Sequence, residues 1–408
     1  MTGAPLRIAI VTSRLDVGGT ERHVARILPA LQRRGLDVVL YVMERGGPLE
    51  AEIAAQGVRV EGPSGRGVLH WLKATLALAL WLRGERPTIV HFFLPRPYLF
   101  GSLAAELAGH RLRLMSRRSL TDYRGKYPLL GRIERFLHRR TFGILGNSQA
   151  VIDQLASEVD DPRKLGLIYN GIEMPSPVFT NTRRQTRATL KIPDDALVIS
   201  VIANLIAYKG HRDLIAALAL LRAQVPTPLP ATWRLLVIGR DNGIGADLRM
   251  QAEVSGLAEN VLWLGERSDV DALLAASDMF VLPSHQEGFS NALLEAMASR
   301  LPVVATAVGG NIDAVVDRET GFLVPVRDAR ALAAAILSLA RDPGLRSSFG
   351  EAGRRRAEQR FALAACIDRY EMLYRTLSAA DPPQVSIILN DRPGRHRDSS
   401  AAAPQHAD

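Results

Sequence analysis

The sequence predicts an α/β protein built from two Rossmann-like, doubly wound domains that face each other across a cleft. Two observations carry this. Short β-branched runs alternate with longer helical patterns in both halves of the 408-residue chain, which is the rhythm of βαβ units around a parallel sheet covered on both faces. Between the halves that rhythm pauses in NGIEMPSPVFTNTRRQTRATLKIPDDA, a stretch rich in Pro, Thr and Asn that suits an interdomain linker leading into a short helix.

In chain order, the first half places strands at RIAIVT, DVVLYV, TIVHFF, RLRLMS and FGILGN, with a helix from about Thr20 to Arg34 after the first of them. The second half repeats the scheme with LVISVIAN, WRLLVIG, NVLWLG, MFVLP, LPVVAT and TGFLVP. A first domain is therefore expected over residues 1–178 and a second over 186–360. Past Pro382 the chain is polar apart from the run VSIIL, so residues 381–408 are expected to be a disordered tail.

An apolar fraction of 47% supports sizeable cores, and the single cysteine, Cys366, excludes an internal disulfide. The first apolar run is interrupted at once by Arg14 and Asp16, which suits a buried strand and not a signal peptide. VLHWLKATLALALWLRG, residues 68–84, contains His70 and Lys73 and is shorter than the roughly 20 residues a spanning helix needs. Residues 1–175 hold 25 Lys/Arg against 16 Asp/Glu, whereas the remainder holds 26 of each. A one-sided basic surface suits an anionic partner such as a membrane face, although an arginine-rich solvated surface explains it as well. Nucleic acid is not expected, because the arginines are scattered and lack interleaved aromatics.

Candidate chemistry lies just after strands, where ligands bind in such folds. In HQEGFSNALLEAMASRLP, Ser290 is placed to cap a helix over Asn291–Ala298, whose free N–H groups would suit a diphosphate. Glu287 then falls before the cap and Glu295 falls inside the helix, so the two flank that site without sharing a helical face. Spacing alone leaves them either as surface charges or as contacts to sugar hydroxyls. Lys209, beside Gly210 at a strand end, is a candidate diphosphate cation. The paired Gly18 and Gly19 permit close backbone approach to a ligand or form a plain tight turn. His91 and His285 sit near cleft-facing strand ends, where structural hydrogen bonding is the expected role.

Together these motifs resemble the GT-B-fold retaining glycosyltransferases of the family 4 type (glycosyl transferases group 1), from Arg7 to about Leu377. The most specific match is EGFSNALLE, supported by GGTE at Gly18–Glu21, GNSQA at Gly146–Ala150, YNGIE at Tyr169–Glu173, YKG at Tyr208–Gly210 and VDRETGFLVP. The resemblance implies that Glu287 contacts donor-sugar hydroxyls, that Glu295 contacts the nucleotide ribose, and that Lys209 with the peptide groups of Gly288, Phe289, Ser290, Asn291 and Ala292 neutralises the diphosphate. It implies that Gly18 and Gly19 approach the donor from the opposite domain, and that the helix at Phe361–Leu377, within a segment 361–380, crosses back to the first domain. Relatives often carry arginine where this chain has Asn204, and a histidine after the fifth strand where it has RLRLMSRRSLTDYRG; Arg117 or Arg118 is the acceptor-side candidate there.

The implied activity is metal-independent transfer of a hexose-type sugar from a nucleotide diphosphate donor to a glycan or lipid-linked acceptor, with no cofactor. The setting is cell-surface polysaccharide or glycolipid synthesis in the cytoplasm. Separately, the basic first domain and the tryptophan-bearing segment Val68–Leu82 suit peripheral contact with an anionic membrane, an internal helix packed on the sheet being the other reading of that segment. A sugar-nucleotide-binding regulatory protein and a nucleotide-sugar epimerase are the alternatives on the same architecture.

Overall fold

The computed structural model describes residues 6–390 apart from 17, 121–126, 176–178 and 225–228. In the N-terminal domain the elements run β1 (Arg7–Thr12), α1 (Gly19–Arg33), β2 (Asp37–Val42), α2 (Leu49–Ala55), β3 (Arg59–Glu61), α3 (Val68–Glu85), β4 (Ile89–Phe93), α4 (Pro95–Leu107), β5 (Arg113–Arg117), α5 (Pro128–Arg140), β6 (Gly143–Gly146), α6 (Gln149–Ala156) and β7 (Leu165–Leu167). The C-terminal domain follows with α7 (Phe179–Thr189), β8 (Leu197–Ile202), α8 (His211–Arg222), β9 (Trp233–Ile238), α9 (Gly245–Val254), β10 (Val261–Gly265), α10 (Val270–Ala276), β11 (Met279–Leu282), α11 (Asn291–Ala298), β12 (Val303–Thr306), α12 (Asn311–Ala314), β13 (Gly321–Val324), α13 (Ala329–Arg341) and α14 (Pro343–Phe361). The chain ends in α15 (Leu363–Leu377) and α16 (Val385–Asn390).

Both sheets are parallel and doubly wound, in the orders β3-β2-β1-β4-β5-β6-β7 and β10-β9-β8-β11-β12-β13. The winding reverses between β1 and β4 in one sheet and between β8 and β11 in the other, so the loops after these strands border the crevices where ligands bind in open α/β sheets. Strand residues such as Ile8, Ile10, Phe92 and Ile199, Phe280, Val304 are fully buried because helices cover both faces of each sheet.

Two segments cross between the domains, and they are bonded to each other. Ile172 N–H donates to the Phe361 carbonyl at 2.9 Å, and Leu363 N–H donates to the Ile172 carbonyl at 2.8 Å. Beyond this point α15 lies on the first domain, burying Cys366, Ile367, Tyr370, Leu373, Tyr374 and Leu377 in its core. His91 is buried beneath α15, with Nδ1 2.7 Å from the Tyr374 hydroxyl and Nε2 2.8 Å from Ser116 Oγ. It is a structural hydrogen-bonding residue.

The linker leads into a short helix, α7 at Phe179–Thr189, which Arg183 and Arg187 hold against the C-terminal domain by reaching Asp278 at 2.6 and 2.9 Å. One expectation requires correction. Part of the tail assigned to disorder folds: α16 buries Val385, Ile388 and Leu389. Val385 and Leu389 lie over Gly143 and Gly166, where a Cβ would collide with them, so two glycines in β6 and β7 create the seat for this short apolar run. Residues 391–408 of that tail lie outside the described residues.

Burial, reinforced by the charge of Arg118, lowers the His91 pKa from 6.5 to about 3 in the fold. Below pH 6.5 the unfolded chain therefore binds a proton that the folded chain refuses, so stability falls as pH drops toward 3. One such histidine costs about 1.4 kcal/mol per pH unit, or about 2 kcal/mol by pH 5. Thermal melts from pH 7.5 to 4.5 should show this loss, to which buried His23, His138 and His211 add in the same direction, and His91→Gln should make the slope shallower; equal slopes in both proteins would remove His91 as a contributor.

Candidate active site

α11 begins as its sequence requires. Ser290 is extended, and its Oγ accepts from the Leu293 N–H at 3.3 Å, leaving the first-turn N–H groups of Asn291 and Ala292 without helical partners. Glu287, buried in the loop before the cap, accepts at Oε1 from Lys209 Nζ and from Ser284 Oγ, each at 2.7 Å. Lys209 ends a short 3-10 turn at Ala207–Lys209, closed by Gly210 at φ +71°. A side chain at 210 would be strained there and would run into the Pro283 carbonyl, so the glycine allows the β8 and β11 loops to meet. Two further bonds fasten them: His285 N–H donates to the Tyr208 carbonyl, and His285 Nε2 lies against the Asp213 carboxylate, both at 2.7 Å. His285 is thus a brace for the lysine loop.

The N-terminal domain forms the opposite wall. Gly18 and Gly19 open α1, Gly19 has free space where a Cβ would stand, and Asn291 Nδ2 donates to its carbonyl at 3.4 Å. Arg26 of α1 reaches Glu295 Oε1 from both terminal nitrogens, at 3.3 and 3.2 Å. Burial raises the Glu295 carboxyl above its usual pKa, with Arg26 opposing the shift. Asn170 joins the two walls: its Oδ1 accepts from Arg118 at 2.6 Å, and its Nδ2 donates to Asn291 Oδ1 at 2.7 Å and to the Phe289 carbonyl at 3.2 Å. Gly288 packs so tightly under the Arg118 carbonyl that a Cβ would overlap it.

The walls enclose a cavity of about 600 Å³. Gly18, Gly19, Arg118, Asn204, Lys209, Glu287, Gly288, Phe289, Ser290, Asn291, Ala292 and Glu295 all line it. Asn204 uses its Oδ1 to accept from the Arg240 N–H at 3.2 Å. Arg117 does not belong to the site. It is fully buried on the other side of the strand, bonded to Glu134 at 2.7 Å and to Glu158, because consecutive residues at a strand end point to opposite faces. Glu134, Glu158 and His138 form the one group of metal-ligating side chains found close together among the described residues, and the Arg117 guanidinium already bonds both carboxylates.

Several lining residues carried no assigned role in the sequence. Asn147 and Asn170 lay inside matched motifs, one residue past β6 and three past β7, and that was the available signal. Arg267, two residues past β10, had the strand-end position without a motif, and Arg22, near the start of α1, had neither.

Comparison with known proteins agrees with this fold. Residues 17–174 match the family model described as Glycosyltransferase Family 4, and residues 182–356 match Glycosyl transferases group 1. The chain belongs to the family 4-type glycosyltransferases. It is 29% identical to the capsular polysaccharide biosynthesis glycosyltransferase CapM of Staphylococcus aureus over 75% of this chain and 81% of that one. It is 26% identical to the D-inositol 3-phosphate glycosyltransferase of Corynebacterium diphtheriae over 94% and 97% of the two chains. The GT-B fold is shared with Anabaena HepE, solved in complex with UDP and glucose, at a TM-score of 0.79 and 21% identity over 90% of this chain and 98% of that one.

In this glycosyltransferase the contact at Gly288 lies between domains, so opening of the cleft can relieve an overlap there. Gly288→Ala should therefore lower turnover at least tenfold while shifting the melting temperature by no more than about 1 °C, an effect of about 1 kcal/mol on a chain of this size. Undiminished turnover in that variant would show that this close approach is dispensable.

Proposed function

We propose that this glycosyltransferase moves a hexose-type sugar from a nucleotide diphosphate donor to a glycan or lipid-linked acceptor with retention of anomeric configuration. The observation that carries the reading is the capped start of α11, flanked by the Lys209–Glu287 pair on one side and by Glu295 on the other. Helix-start N–H groups and a lysine suit a diphosphate, the carboxylate before the cap suits sugar hydroxyls, and the carboxylate within the helix suits a ribose.

In this scheme the bond between the anomeric carbon and the diphosphate oxygen breaks as the acceptor hydroxyl bonds to the same face of the sugar. The acceptor proton passes to the departing diphosphate. Lys209 and the N–H groups of Gly288 to Ala292 stabilise the leaving charge, a preorganised electrostatic task for which no metal is invoked. Glu287, oriented by Lys209 and Ser284, holds the donor sugar. Arg118 and Asn170 border the N-terminal side, where the acceptor would enter. A nucleotide-sugar donor suits an enzyme working in the cytoplasm, and relatives named for capsule and lipopolysaccharide synthesis favour a cell-surface product.

Glu287→Ala should reduce turnover about 100-fold or more and nucleotide affinity only slightly, whereas Glu295→Ala should weaken nucleotide binding about tenfold through lost charge-assisted hydrogen bonds. Nucleotide titration beside turnover checks both, and the reverse pattern would exchange the two roles. Product anomers followed by NMR should keep the donor configuration; an inverted product would sink the same-face scheme.

A further inference from the structure

The outer face of the N-terminal domain carries apolar side chains that the fold leaves bare. On α3, Trp71, Ala74, Leu78 and Leu82 pack inward, while Leu69, Leu72, Leu76 and Leu80 are 76%, 55%, 62% and 68% exposed. Their spacing of three or four residues makes them one continuous stripe. α4 runs alongside, with the Trp71 and Phe100 rings 5.2 Å apart and Arg83 donating to the Leu107 carbonyl at 2.7 Å, and it adds exposed Leu103 and Leu107. α5, tied to α4 through Arg140 and Glu106 at 2.6 Å, adds Leu129, Ile133 and Phe136.

Cations border these side chains. Lys73 and Arg83 are exposed on α3, and Arg132, Arg135, Arg139 and Arg140 are exposed on α5, whose opposite face buries Glu134 and His138. Residues 68–140 hold 14 Lys/Arg and 4 Asp/Glu; Arg113, Arg117 and Arg118 among them are turned inward or to the cleft, and the remaining cations still outnumber the acidic residues. Each helix returns antiparallel to its parallel strands, so its N-terminal end lies at the strand ends that border the cleft. Leu69, Leu72, Leu129 and Ile133, all near the starts of α3 and α5, are therefore on the cleft side of the patch.

We propose that the joint outer face of α3, α4 and α5 docks on an anionic lipid bilayer, with leucine and phenylalanine side chains entering the headgroup boundary and arginines pairing with lipid phosphates. Apolar residues interleaved with long cationic side chains are the composition of an interfacial surface. A second copy of the chain fits less well, because a two-fold contact would bring this cationic face against itself. The proposal deepens the lipid-linked reading of the acceptor, since docking in this way brings the cleft mouth to the headgroups where such an acceptor is exposed.

Co-sedimentation of the full chain with phosphatidylglycerol-containing vesicles and with pure phosphatidylcholine vesicles tests it, alongside hydrolysis of nucleotide sugars without acceptor. Wild type should pellet with the anionic vesicles only. Leu72→Gln with Leu76→Gln, and separately Arg132→Gln with Arg135→Gln, should each weaken binding at least tenfold and leave donor hydrolysis unchanged. Equal recovery in both supernatants would overturn the docking while persisting hydrolysis keeps the transferase reading; binding without hydrolysis of any donor would do the opposite. Vesicle binding unaffected by either pair of substitutions, or light scattering that shows a dimer abolished by the leucine substitutions, would also overturn the proposal.

Discussion

The architecture depends on two chain crossings held against each other. Ile172 bonds at its N–H to Phe361 and at its carbonyl to Leu363, so the two links between domains form one small hydrogen-bonded unit instead of two loose tethers. Tyr169, Phe289 and Phe361 pack around it with ring centroids 5.2 to 5.4 Å apart. Phe289 belongs to the loop before α11 that lines the cavity, so the crossing and the site share one aromatic cluster. Asn170, two residues before Ile172, extends the same unit into the cleft by bonding both walls. With the crossings fixed, the C-terminal ends of two parallel sheets face each other, and the loops after β1, β8 and β11 share one cavity.

Charge in that cavity is largely paired. Lys209 lies on Glu287, and Arg26 lies on Glu295 across the domain boundary. Both pairs are partly buried and order these side chains before any donor arrives. A ligand that enters must displace or share these contacts.

Much of the architecture was legible because its signals are local. Strand runs buried on both faces are apolar throughout, helices between them keep a 3.6-residue period, and Ser290 before NALLEAMA is a cap whose chemistry does not depend on distant residues. The helix it starts runs over Asn291–Ala298, as the residue types require. Other features had no local signal. Six apolar or polar residues at Val385–Asn390 look like tail until Gly143 and Gly166 are brought beneath them. Arg183 and Arg187 look like linker polarity until Asp278, more than ninety residues later in the chain, is placed beside them.

The adjacent arginines 117 and 118 mark this division most clearly. Composition and spacing determined two parallel α/β domains, a capped helix start and the residue types around it, because backbone propensity and burial periodicity act within a few residues of one another. Tertiary structure alone decided that Arg117 neutralises Glu134 and Glu158 inside the domain while Arg118 faces the cleft. It also decided that Glu287 meets Lys209 and Glu295 meets Arg26. Each of these outcomes depends on which face of a strand or helix meets a surface contributed by a distant part of the chain, and that pairing is set by packing and desolvation.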